Sequence, residues 1–256
     1  MTDINWESIR AYNSERLSEA RMQLHSAVQW LARIERSYGQ TPESRNSMLQ
    51  WHDDGKISTQ PLESGLGLEL RLPDLIMQFT ENGTPSRHEI DLEERSPAHV
   101  EAWMLIELLH RGVDRSKFSK ELPYDVSTLM SGDGVEFSPD EHEQELDEFA
   151  DLFRNAAAVL AHVRGHRNGA TRLVRFRPQD MSIEMPTGPA NGTETSSVTV
   201  GFALGDTGTS EPFFYISRNT GGTQASPEAR LRISEIPSAA ADKAVKEFFI
   251  EAEERA

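Results

Sequence analysis

Cysteine is absent from this 256-residue chain, which excludes disulfides, thiolate nucleophiles, cysteine-bound iron–sulfur clusters and thiolate zinc sites. Positive charge is scarce: 26 lysines and arginines face 42 aspartates and glutamates, a formal net charge of −16. A field of that sign repels nucleic acid and anionic lipid, so neither is expected as a partner, and solubility accounts for the acidity. No apolar run approaches the roughly 18 residues that a membrane-spanning helix needs. The start, Met1-Thr2-Asp3-Ile4-Asn5-Trp6-Glu7, lacks the basic-then-apolar order of a secretory signal, which predicts a cytoplasmic protein. Glycine fingerprints are missing too. Gly65-Leu66-Gly67 and Gly221-Gly222 match neither a dinucleotide site nor a P-loop, and Gly-x-Ser-x-Gly and His-Glu-x-x-His do not occur. No cofactor is therefore expected, although a site assembled from distant residues leaves no such trace.

Hydrophobic residues, at 37% against 27% charged, suffice for a globular core. In the first helical stretch Leu17, Ala20, Leu24, Ala27, Val28, Leu31, Ile34 and Tyr38 recur at three- and four-residue steps, one buried helical face. Gly39 and Pro42 end it. Short apolar segments follow at 47–51, 56–59, 66–72, 75–80 and 87–92. Asp53-Asp54-Gly55 and Glu81-Asn82-Gly83 between them are hairpin signals, because Asn or Asp beside Gly tolerates positive φ. Ser96 and Pro97 open a second helix that Gly112 closes; Trp103, Ile106 and Leu109 are its expected inner side. A third helix opens at Ser138-Pro139-Asp140-Glu141, where Ser138 is placed to cap it. Leu146, Phe149, Leu152, Phe153, Ala156, Leu160 and Val163 form its apolar face. Strand-like segments return at 171–176, 181–185, 197–204, 212–218 and 230–233, with a Pro-, Gly-, Thr- and Ser-rich loop at 186–196. A final helix from about Ser238 carries Val245, Phe248 and Phe249.

These patterns predict an α+β fold of two similar helix/antiparallel-sheet/helix halves. Residues 1–112 form the first half, 113–137 a linker around Pro123 and Ser131-Gly132-Asp133-Gly134, and 138–256 the second. The shared order of elements suggests an internal duplication packed about a pseudo-twofold axis, with any cleft between the halves; coincidence among common α+β patterns gives the same order.

Three stretches carry a resemblance. They are Leu24-His25-x-x-x-Gln29 with Arg33 four residues on, Gln179-Asp180-Met181-Ser182, and Glu211-Pro212-Phe213-Phe214-Tyr215. In that order they resemble an uncharacterised bacterial domain-of-unknown-function family, over most of the chain. The resemblance implies a shared fold and no particular reaction. The family's His-Phe-Phe-Trp-Gly stretch falls where this chain has Leu173-Val174-Arg175-Phe176-Arg177, so its histidine has no counterpart.

The candidate ligand-binding residues are His25, Gln29, Arg33, Arg175 and Arg177. The first three, spaced by four, form a polar stripe beside the apolar face of helix 1, suited either to lining a cleft or to bonding neighbouring backbone. Strand alternation puts Arg175 and Arg177 on one face, where they would grip a phosphate or carboxylate, or pair with the acid-rich third helix. His162 and His166 have helical metal-pair spacing, but Gly165 interrupts them and a third ligand is not evident, so no metal is assigned. His52-Asp53-Asp54 is explained by a turn alone. The expected function is non-catalytic binding of a small anionic ligand or a protein segment. Two alternatives stand beside it: an enzyme with His25 as general acid or base oriented by Gln29, and a structural subunit contacting its assembly through Phe213, Phe214 and Tyr215. The oligomeric state is not legible.

Overall fold

The computed structural model describes residues 14–41, 47–62, 65–126, 129–165, 174–186, 196–205, 211–220, 223–224, 229–237 and 240–254. The fold is α+β with antiparallel strands. The chain forms two compact units: 13–150 with 176–179, and 1–12 with 151–175 and 180–256. Among the described residues no helix is long and apolar enough to cross a membrane.

The larger unit begins with α1 (Ser14–Tyr38) and continues through β1 (Leu49–His52), β2 (Lys56–Ser58), β3 (Leu66–Arg71), β4 (Ile76–Glu81) and β5 (Thr84–Asp91) into α2 (Pro97–His110). Each of the five strands pairs antiparallel with the next, a simple meander. Both Asn–Gly or Asp–Gly signals fall at turns. Gly55 takes φ +85° between β1 and β2, and Asn82 and Gly83 take +50° and +77° between β4 and β5. Positive φ at both central residues of a two-residue loop is the geometry that matches the twist of a hairpin. The core lies where the apolar side of α1 meets the sheet: Leu24, Val28, Leu31, Leu68, Leu70, Met77 and Phe79 are buried completely.

One ladder is irregular. On β4–β5, Gln78 pairs with Glu89, and two residues later Thr80 pairs with Pro85. Phe79 is therefore opposed by Ser86, Arg87 and His88, a bulge that lifts three residues of β5 out of register. The Gln78 side chain pins it by donating to the Ser86 carbonyl at 2.7 Å, and Ser86 Oγ donates to the His88 carbonyl at 3.0 Å.

Helix α2 starts as its sequence predicts: Ser96 Oγ accepts from the His99 amide at 3.3 Å, and Pro97 occupies the first helical position. Gly112 at φ +67° follows its end. Its inner side differs from the expectation in part: Trp103 packs 5.6 Å from the buried Phe79 ring, but the other two expected residues do not face inward. Val100, Met104, Glu107 and Leu108 are buried, whereas Ile106 and Leu109 are half exposed. The helix is apolar on most of its circumference, so periodicity alone could not choose a face, and the true face includes a carboxylate. Residues 113–137, read as a linker, belong to the larger unit and contain, among the described residues, one short 3₁₀ turn, Arg115–Lys117. A second, Pro139–His142, leads into α3 (Glu143–Gly165). Ser138 makes no side-chain cap there; it is bonded to Gln23 instead, as set out below.

In the smaller unit β7 (Ser182–Pro186), β8 (Ser196–Ala203) and β9 (Phe213–Thr220) form a second meander, preceded in the chain by β6 (Val174–Arg177). β9 also pairs with β10 (Thr223–Gln224) and β11 (Ala229–Arg232), and α4 (Ala241–Glu254) closes the chain. Its core is aromatic: Phe202 packs 5.0 Å from Phe214, which meets Phe249 of α4 edge-on at 5.9 Å, and Phe153 meets Phe202 edge-on at 6.4 Å. Gly201 pairs with Tyr215, and a Cβ there would lie 2.3 Å from the tyrosine ring; only glycine leaves the ring its place. Phe213, Phe214 and Tyr215, considered above as contacts to an assembly, are at most 3% exposed and are core residues.

Candidate functional site

Two groups of polar side chains stand out, both within the larger unit. The first is the stripe on α1. His25 Nε2 lies 2.9 Å from the Pro178 carbonyl, and Gln29 Nε2 donates to the same oxygen at 2.8 Å. A carbonyl only accepts, so the His25 proton sits on Nε2, the wrong arrangement for a base at that nitrogen. Gln29 Oε1 accepts from the Tyr124 hydroxyl at 2.9 Å. Arg33 stacks 4.4 Å over the Trp30 ring and donates to the Lys120 carbonyl at 3.2 Å. Burial pushes its guanidinium pKa below the ordinary value, opposed by the nearby Glu101 carboxylate.

The stripe extends in both directions. Gln23 exchanges hydrogen bonds with Ser138, its Nε2 donating to Oγ and its Oε1 accepting from the amide, both at 2.8 Å. Ser26 Oγ accepts from the Met130 amide, Ser37 Oγ from the Ser119 amide, and the Tyr38 hydroxyl donates to the Asp114 carbonyl. Along α1 the contacts at 23, 26, 29, 33, 37 and 38 meet 138, 130, 124, 120, 119 and 114 in turn. The stripe is a seam that fastens residues 114–138 antiparallel along the helix, about one bond per helical turn. Arg175 and Arg177 stand on one side of β6, half-buried, with Val174 and Phe176 buried on the other. The side chains of His162 and His166 lie outside the described residues.

The second group was not legible as a motif. The bulge on β5 and the last turn of α2 bring His88, Glu107 and His110 together, with one donor atom of each within 4.8 Å of the others. Glu107 is 4% exposed, and its Oε1 lies 3.4 Å from His88 Nδ1 and 3.7 Å from His110 Nδ1. Its other oxygen, Oε2, accepts from Arg111 Nη1 at 2.6 Å. Arg111 is itself almost buried, stacked 4.9 Å over the Phe79 ring, with Nε 3.2 Å from Glu81 Oε1 in an ion pair. Both histidines are well exposed. These residues line an open pocket of about 830 Å³ with Asn82, Thr84, Ser86 and Arg87.

A carboxylate at this place is costly. It is desolvated, and it sits in the last turn of a helix, where the dipole favours cations. Arg111 offsets that cost at Oε2, leaving Oε1 turned toward two imidazoles that no backbone group among the described residues holds in position. The sequence signal is slight: Glu107-x-x-His110-Arg111 at the end of a helix, and a histidine on a strand twenty residues earlier. No protein-family model, curated protein or solved structure matches the chain.

Proposed function

We propose that the protein is a non-catalytic, cytoplasmic binding protein that takes a small anionic ligand in the pocket between the β4–β5 hairpin and α2. The observation that carries this reading is the convergence of Arg87, His88, His110 and Arg111 on one open pocket in a chain of net charge −16. At about 830 Å³ the pocket falls within the range of small-molecule sites, roughly 300–1,000 Å³. Anions are repelled by the rest of the chain; here Glu81 and Glu107 balance Arg87 and Arg111 in formal charge, so the pocket offers an anion N–H donors, two of them on exposed imidazoles, in a less negative setting.

The test is an NMR titration of ¹⁵N-labelled protein with inorganic phosphate and with malonate at constant ionic strength. Saturable shifts confined to the amides of residues 81–88 and 107–111 are expected. Saturable shifts on α1 around His25 and Arg33 instead, or none at millimolar anion, overturn the assignment.

The order helix, strands, helix occurs twice along the chain, α1 to α2 and α3 to α4. This repetition supports an internal duplication, in which the pocket is a specialisation of the first copy.

A further inference from the structure

His88, Glu107 and His110 do more than pair with one another. We infer that they hold a divalent transition-metal ion of the zinc type, on His88 Nδ1, Glu107 Oε1 and His110 Nδ1. Its remaining coordination position faces the pocket. The inference rests on the pocket reading above and names what anchors the ligand there.

Three observations carry it. The first is donor chemistry: two imidazole nitrogens and one carboxylate oxygen form a set that suits zinc and its neighbours rather than calcium or magnesium, which prefer oxygen. The second is spacing. Zinc bonds of roughly 2.0–2.2 Å in a tetrahedron put neighbouring ligand atoms about 3.3–3.5 Å apart. The two histidine nitrogens stand 3.4 and 3.7 Å from Glu107 Oε1. The latter is too long for a hydrogen bond, yet close to a shared coordination edge. Among the described residues neither exposed ring has a backbone partner, so χ rotations are free to close the set, whose atoms lie within 4.8 Å of one another, to coordination spacing.

The third is the support behind the carboxylate. Arg111 holds Oε2 at 2.6 Å and so fixes which oxygen faces the histidines. The His88 backbone is tied through Ser86 to Gln78. Outer contacts of this kind orient metal ligands. The charges then explain the anion. Glu81 and Glu107 cancel Arg87 and Arg111 in the lining, so two added positive charges make a neutral pocket cationic and should tighten the binding of an anion.

The experiment uses the full chain. Zinc is titrated calorimetrically into chelator-treated, dialysed protein, and cobalt(II) is added in parallel to read its visible ligand-field absorption. One equivalent of zinc is expected, with the intense cobalt absorption of a four-coordinate site. His88→Ala and His110→Ala should each lose at least about 100-fold in affinity, since even outer-contact changes cost roughly 10–100-fold. Their melting temperatures without metal should stay at the wild-type value. His25→Ala should bind zinc as the parent does. Binding that survives both pocket variants overturns the site, and so does an absence of saturable binding below about 1 mM, a level at which the free energy is only about 4 kcal/mol.

Repeating the phosphate titration with and without zinc separates the two readings. Amide shifts at residues 81–88 and 107–111 without any zinc binding retain the pocket and remove the metal. Zinc binding without anion shifts retains the metal and removes the anion.

Discussion

The seam on α1 and the pocket at the end of α2 are both convergences of polar side chains in one unit, yet they are built from different partners. In the seam most bonds run from a side chain to a backbone group: Pro178, Lys120, Met130, Ser119, Asp114 and Ser138 contribute main-chain atoms, and Gln23–Ser138 Oγ and Gln29–Tyr124 are the side-chain pairs among those described. In the pocket, side chain meets side chain, and two of the participants are mostly in water. A backbone partner is fixed by the fold, so a bond to it has one use, which is to hold that fold. A side-chain partner can be exchanged for an ion or ligand at little structural cost. Polar clustering alone therefore does not mark a site; the nature of the partner does.

The contrast can be broken first at Arg111. Arg111→Ala leaves the buried Oε2 of Glu107 without its partner, with only the imidazoles beside Oε1, and a loss of about 3–5 kcal/mol in urea denaturation is expected. A loss below about 1 kcal/mol would mean that water reaches the carboxylate and that the pocket floor is not dry. Next comes the seam. Gln29→Ala removes the acceptor of the Tyr124 hydroxyl bond and one of the two bonds to the Pro178 carbonyl, and should cost about 2–3 kcal/mol. An effect confined to ligand binding, with stability unchanged, would return α1 to the list of functional surfaces. His88→Ala and His110→Ala should move stability by no more than about 0.5 kcal/mol, as exposed side chains do.

The smallest effect concerns Asp114, at the end of the seam. Ser116 donates to its carboxylate from the hydroxyl and from the amide, and these bonds hold its pKa below the ordinary 3.8. The folded state thus binds the proton less well than the unfolded one. The stabilisation is present above pH 3.8 and lost as pH falls through the lower folded value. The difference in melting temperature between wild type and Asp114→Ala should accordingly narrow in that acid range.

Much of the scaffold was legible in the sequence, because it depends on local rules. Asn82-Gly83 dictated a tight turn, Ser96-Pro97 opened a helix, and the α1 periodicity placed Leu24, Val28 and Leu31 in the core. The inner face of α2 was not, since Ile106 and Leu109 are as apolar as the residues buried behind them. Ser138 looked like a cap, but its partner, Gln23, lies 115 positions away and no local pattern could reveal it. The stripe of His25, Gln29 and Arg33 was visible as spacing, while its pairing with 114–138 and 178 was not. The pocket was hidden for a further reason. It depends on an irregularity in strand pairing, and alternation along β5 says nothing about where the ladder slips.

That slip has a consequence for how the protein can change. Ser86, Arg87 and His88 face a single residue of β4, so their side chains are not constrained by cross-strand neighbours. Substitutions of Arg87 and His88 alter what the pocket presents without asking the sheet to re-register, while Ser86 and Gln78 hold the bulge in place. Chemical identity and architectural stability are thus inherited separately on this hairpin, and a lineage can revise the first while leaving the second intact.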